Sequence, residues 1–114
     1  MHLKKIQFLD CISRILNWPT EAREVEIKSW YHRPNICGPT RMTLRIGQKV
    51  LIRDYLIAGG NDCEAIVIGF EKVVDGRYLF KDEDSIDIVR EDSLEDGYLI
   101  TTTKPKFIIK QIKE

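Results

Sequence analysis

Few residues in this chain have the type and spacing to do chemistry. His32 and Cys37 share one stretch, HRPNICGPT, whose two prolines and glycine make it a loop. A thiol and an imidazole on one loop are the raw parts of a small Cys/His hydrolase. Such a site also needs hydrogen-bond contact between the two and a third group to orient the base. Structural zinc takes two close ligand pairs, and the chain offers only this loose one, so no metal or other cofactor is expected. Glu26-Ile27-Lys28 puts a carboxylate and an amine on one strand face, the spacing used in metal-dependent nucleases. Its further carboxylate would have to be Asp10, which falls in a helical stretch. Glu24 and Glu26 read more simply as the wet face of a strand.

Charge is the second source of chemistry. Residues 1–57 carry 10 basic and 5 acidic side chains, while residues 58–114 carry 8 and 13, so a formally neutral chain has halves of opposite sign. The basic half holds Arg41, Arg45, Lys49 and Arg53, with Tyr31 and Tyr55 interspersed. Cations that meet phosphates and rings that stack on bases suit a nucleic-acid partner. Arg45, Lys49 and Arg53 recur every fourth residue, so an unbroken strand would align all three on one face. The acidic half is densest from Asp62 to Asp96, with 12 acidic and 4 basic residues. Within it, Asp82, Glu83, Asp84, Glu91 and Asp92 are candidates for docking a basic protein surface. The same residues would also serve to keep strand edges soluble. No calcium-loop spacing is present.

The elements that must position these residues are mostly strands. Leu3 to Leu16 has the period of an amphipathic helix, with Ile6, Leu9, Ile12 and Leu16 on one stripe, widened by Phe8 and Ile15, that needs cover. Asn17-Trp18-Pro19 stops it. Thr20 to Tyr31 fits helix or strand, and the strand reading puts Val25, Ile27 and Tyr31 on one face. From Met42 onward the pattern is β. Val50 and Ile52 alternate with Lys49 and Arg53, and Cys63–Phe70 is apolar enough to be covered on both faces. Asp75-Gly76 between β-formers predicts a two-residue hairpin. Short strands follow at Ile86–Val89, Tyr98–Thr103 and Phe107–Ile112, with Pro105 separating the last two.

At 114 residues the chain is expected to fold as one domain, 1–114, with residues 1–19 as helix and stop and 42–112 as β core. It is 43% hydrophobic and 32% charged, a globular composition. No apolar run approaches the roughly 20 residues that span a bilayer, so no membrane partner is expected. Cys11, Cys37 and Cys63 are odd in number and match no disulfide framework, which points to free thiols and a cytoplasmic setting. The fold class is mainly β (α+β): a small antiparallel barrel or sandwich with an N-terminal amphipathic helix.

Arg45-Ile46-Gly47-Gln48-Lys49-Val50-Leu51-Ile52, a Gly-rich loop, and then Ala65-Ile66-Val67-Ile68-Gly69-Phe70 resemble the opening hairpin of SH3-like barrels of the KOW type. The resemblance covers about 25 residues and rests on two glycines and the alternation between them. It implies a non-enzymatic module that binds nucleic acid, ribosome or transcription machinery through barrel loops. Asp54, Asp62 and Glu64 at the loop end depart from a strongly basic pattern. The alternative is a protein-interaction or inhibitor module that uses the acidic loops at 82–96 or pairs helices in a homodimer.

Overall fold

The computed structural model describes residues 4–6, 8–29, 40–72, 79–81, 83–91 and 98–112. In chain order these form β1 (Lys4–Ile6), α1 (Phe8–Asn17), a 3-10 turn at Thr20–Ala22, β2 (Glu24–Ser29) and β3 (Thr40–Arg45). Then come β4 (Lys49–Arg53), α2 (Tyr55–Ala58), β5 (Asp62–Phe70), β6 (Ile86–Glu91), β7 (Tyr98–Thr103), a second 3-10 turn at Pro105–Phe107, and β8 (Ile108–Gln111). The expected class holds: antiparallel β dominates after one short helix. A six-stranded sheet runs β1-β7-β6-β5-β4-β8, and β2 and β3 form a separate two-stranded sheet. The larger sheet is open, with β1 and β8 at its edges.

Both faces of the larger sheet are covered where its sequence is apolar on both. On one face Val50, Ile52, Val67, Ile86, Ile88 and Ile108 are buried against Val25, Ile27 and Leu44 of the β2–β3 ribbon, with Phe70 and Phe80. On the other, Cys11 and Ile15 of α1 pack on Ile68 and Val89, with Ile66 and Ile100 alongside. β5 serves both layers, as its continuous apolar run requires. The pairing of β5 with β6 shifts register between Val67 and Gly69, so Phe70 joins the same interior as Val67. In Thr20–Tyr31, the strand reading holds from Glu24 onward, with Val25 and Ile27 buried and the preceding residues forming the 3-10 turn. Tyr31 and the Asp75-Gly76 hairpin lie outside the described residues.

The N-terminal segment differs from its sequence pattern in two ways. Lys4–Ile6 is a strand paired with β7, Lys4 opposite Ile100 and Ile6 opposite Tyr98, and the helix begins only at Phe8. An open strand edge offers hydrogen-bond partners that local periodicity does not register. The buried stripe is also shifted towards the margin of the expected one, where Ile15 lies. Leu9 and Leu16 are 76% and 71% exposed, while Cys11 and Ile15 face the sheet. Trp18 sets this rotation. Its indole Nε1 donates to Ala22 O at 2.9 Å, and its ring meets Phe70 edge-on at 6.1 Å. Cys11, Ile15 and Trp18 follow at helical spacing, so anchoring Trp18 turns that face inward. Gly69 makes the room: a Cβ there would stand 3.1 Å from both the Trp18 ring and Asp87 Oδ2. Arg14 lies 3.5 Å from Asp87, whose carboxyl burial pushes up.

Ile88 and Leu16 are comparable in size and opposite in setting. Ile88→Ala is expected to lower unfolding free energy by about 2–5 kcal/mol. Leu16→Ala is expected to stay within about 0.5 kcal/mol of the parent. Urea unfolding followed by tryptophan fluorescence checks both.

Candidate functional site

The four basic candidates do not share a strand. Ile46 and Gly47 turn the chain between β3 and β4, with Gly47 at φ 89°, a conformation that favours glycine. Arg41 and Arg45 therefore belong to the two-stranded sheet, and Lys49 and Arg53 to the six-stranded one. This corrects the single cationic stripe that the four-residue spacing suggests.

Carboxylates also accompany most of these cations. Arg45 Nε lies 2.9 Å from Glu24 Oε1, and Arg41 Nη1 lies 3.9 Å from Glu26 Oε2. Arg53 grips Asp62 with two parallel hydrogen bonds of 2.6 and 3.0 Å, and that guanidinium holds the Asp62 carboxyl below its usual range. These pairs lie at or near the surface, where solvent screening leaves them little effect on stability. They also lower the positive potential that a run of phosphates would meet, while the guanidinium groups of Arg41 and Arg45 keep exposed donors.

Tyr55 is the aromatic candidate that the described residues include, and it is 74% exposed beside Leu56 at 80%. Together they cap a short, firmly held turn. Asp54, itself buried, accepts from Leu56 N through Oδ1 at 3.0 Å, which caps α2. Its Oδ2 accepts from Thr103 Oγ1 at 3.3 Å. Arg90 Nη1 donates to Ile57 O at 2.7 Å, and Gly59 ends the turn in the left-handed conformation at φ 62°. Two strands separate β4 from β7 in the sheet, so the Asp54–Thr103 bond spans its curl. Asp54, Thr103 and Arg90 are absent from the sequence-derived set. An Asp ahead of a short apolar run that ends in Gly-Gly was the local sign of the first.

Two of the acidic candidates have definite partners. Exposed Glu83 accepts from Lys104 Nζ at 2.5 Å and Lys106 Nζ at 2.8 Å, and these bonds pull its carboxyl down to about 2. Asp84 is buried: it accepts from Lys81 N at 2.9 Å and lies 3.5 Å from Lys72 Nζ, so it builds its own turn. Asp82, Asp92 and the side chain of Glu91 lie outside the described residues, as do His32 and Cys37. Burial pushes up the thiols of Cys11 and Cys63, which disfavours their nucleophilic form. Among the described residues no group of three or more His, Cys, Asp or Glu is placed to hold a metal. No described helix is long and apolar enough to cross a membrane.

Asp54→Ala removes a cap and leaves Thr103 without its acceptor, and it is expected to cost about 1–3 kcal/mol in chemical denaturation. Glu83 titrates well below its ordinary 4.5, so its contribution to stability is complete above that value. That contribution fades as pH falls towards about 2, where the folded-state carboxyl takes up its proton. Carboxyl-detected NMR is expected to find this low midpoint, and Lys104→Gln/Lys106→Gln is expected to return it towards the ordinary range.

No protein-family model matches the chain, and neither the curated proteins nor the solved structures provide a match.

Proposed function

We propose that the protein is a non-enzymatic binding module built on a small, incompletely closed SH3-like barrel, and that its partner is another protein. The barrel part of this reading is supported by consecutive pairing of β4, β5, β6 and β7. A short 3-10 turn then leads into β8, which returns to pair with β4. The partner class rests on one contrast. Arg41, Arg45 and Arg53 are matched by carboxylates of neighbouring strands, whereas the large exposed hydrophobic side chains among the described residues are Leu9, Leu16, Tyr55 and Leu56. Aromatic and apolar anchors carry most protein–protein affinity, while nucleic acid selects for unneutralised cations.

Tyr55 favours a second reading. An exposed ring at the start of the capped α2 turn, two residues from Arg53, is suited to stacking on a base. Fluorescence anisotropy with labelled single- and double-stranded DNA and RNA at low salt separates the two. No saturable binding is expected. Binding that weakens steeply with added salt, and that Tyr55→Ala reduces, would transfer the function to nucleic acid. For the protein reading, a photo-crosslinking residue at Leu16 is expected to capture a discrete protein from a native lysate. The same residue at exposed Glu21 serves as the control.

A further inference from the structure

A groove of about 400 Å3 runs along the outer side of β3, lined by Thr43, Arg45, Gln48, Gln111 and Ile112. Antiparallel pairing alternates hydrogen-bonded residue pairs with pairs whose main-chain groups point outward. The β2–β3 register continues to Ile46, whose N–H donates to Arg23 O at 3.0 Å. Stepping back by twos puts Leu44 and Met42 in the bonded pairs. Arg41, Thr43 and Arg45 therefore turn their N–H and C=O groups away from β2, and of these Arg45 O is already taken by Gln48 N at 3.1 Å in the turn to β4. The far side of the ribbon obeys the same alternation: Glu26 O points outward there and accepts from Phe80 N at 2.8 Å.

On the outer edge of β3, two side-chain carboxamides stand where the peptide groups of a neighbouring strand would stand. Gln48 Oε1 accepts from Arg45 N at 3.1 Å, Gln111 Nε2 donates to Thr43 O, and the two amides meet at 3.3 Å. A carboxamide offers the same donor and acceptor types as a peptide group. The Thr43 N–H has no partner among the described residues.

We propose that the outer edge of β3 is a strand-addition site for an extended peptide of a partner protein, with Gln48 and Gln111 holding the edge until that peptide displaces them. This rests on the reading that the partner is a protein. Pairing to an exposed edge draws affinity from main-chain bonds and specificity from alternate side chains. Arg41 and Arg45 share one face of the edge strand, and beside their contacts with Glu26 and Glu24 their side chains stay 68% and 66% exposed. A guanidinium has five N–H donors, so each can take a second carboxylate, and that selects for acid. On its inner edge β3 already pairs with Glu24-Val25-Glu26-Ile27, whose carboxylates reach those two arginines. The peptide that fits the outer edge alternates acidic and apolar residues in the same way.

The test uses the full chain and two dye-labelled peptides, one alternating Glu and Val and one alternating Lys and Val, read by fluorescence anisotropy. Saturable binding of the Glu–Val peptide is expected, and Gln48→Ala/Gln111→Ala tightens it about tenfold by removing the competing amides. Thr43→Pro deletes the outward N–H and spares the ladder to β2, so it abolishes binding. Arg41→Glu/Arg45→Glu shifts preference to the Lys–Val peptide, an outcome independent of how well the proline variant folds. Two results would overturn the proposal. One is no saturable Glu–Val binding to either the parent or the double-alanine protein, and the other is binding that the proline and charge-reversal variants both leave unchanged. Protein capture at Leu16 without peptide binding at β3 would remove this site and leave the protein-binding reading standing.

Discussion

One face of the six-stranded sheet carries Val50, Ile52, Val67, Ile86, Ile88 and Ile108, and that surface has to leave water. Burying each such side chain stabilises the fold by about 1.5–3 kcal/mol, more than any ion pair seen on the surface. The sheet curls without closing, so it needs a lid. β2 and β3 supply one through Val25, Ile27 and Leu44, and Phe80 extends it by joining the outer edge of β2. The register shift in β5 belongs to the same requirement, since it brings Phe70 into this interior and leaves Gly69 under Trp18. Trp18 in turn sets which side of α1 the sheet sees.

With the apolar layers fixed, the polar groups are distributed to keep the remaining surface quiet. Glutamates of β2 stand beside arginines of β3, Asp62 beside Arg53, and Glu83 between two lysines. A chain whose halves have opposite formal charge thus folds so that the two signs interleave. The buried polar groups are equally provided for: Asp54 holds the α2 turn on one side and Thr103 on the other. No buried side-chain nitrogen or oxygen of the described residues is left without a hydrogen bond.

The groups that stand out against this background are those that satisfy themselves in an unusual way or not at all. Leu9, Leu16, Tyr55 and Leu56 are large, apolar and wet. Among the described residues the edge of β3 is held by glutamine side chains in place of a strand, a soft solution to the exposure that edge strands present. A carboxamide leaves such an edge more readily than a paired strand would, because a change of side-chain rotamer is enough to break its one or two hydrogen bonds.

Much of this architecture is written locally. Alternation at Lys49–Arg53 and Val25–Ile27, the two-sided apolar run of β5 and the break at Pro105 each follow from side-chain period and backbone sterics, so the mainly β class with one short helix was legible in the residues alone. The helix stripe was not, because Leu9 and Leu16 repeat as regularly as Cys11 and Ile15. Only the docking of Trp18 against Phe70 decides between the two faces. The cationic row from Arg45 to Arg53 failed for a similar reason: Gly47 sends its members to different sheets, and their carboxylate partners come from other strands. Nor does the chain order bring Gln48 to Gln111, or Asp54 to Thr103. Neighbours one to four residues away were enough to mark β4 to β8 as strands and to show the two-sided apolar run of β5, whereas β1 and the inward face of α1 were not marked locally. Which faces meet, which charges cancel and which edge stays open were decided by the tertiary structure, because those depend on residues brought together across as many as sixty positions or more.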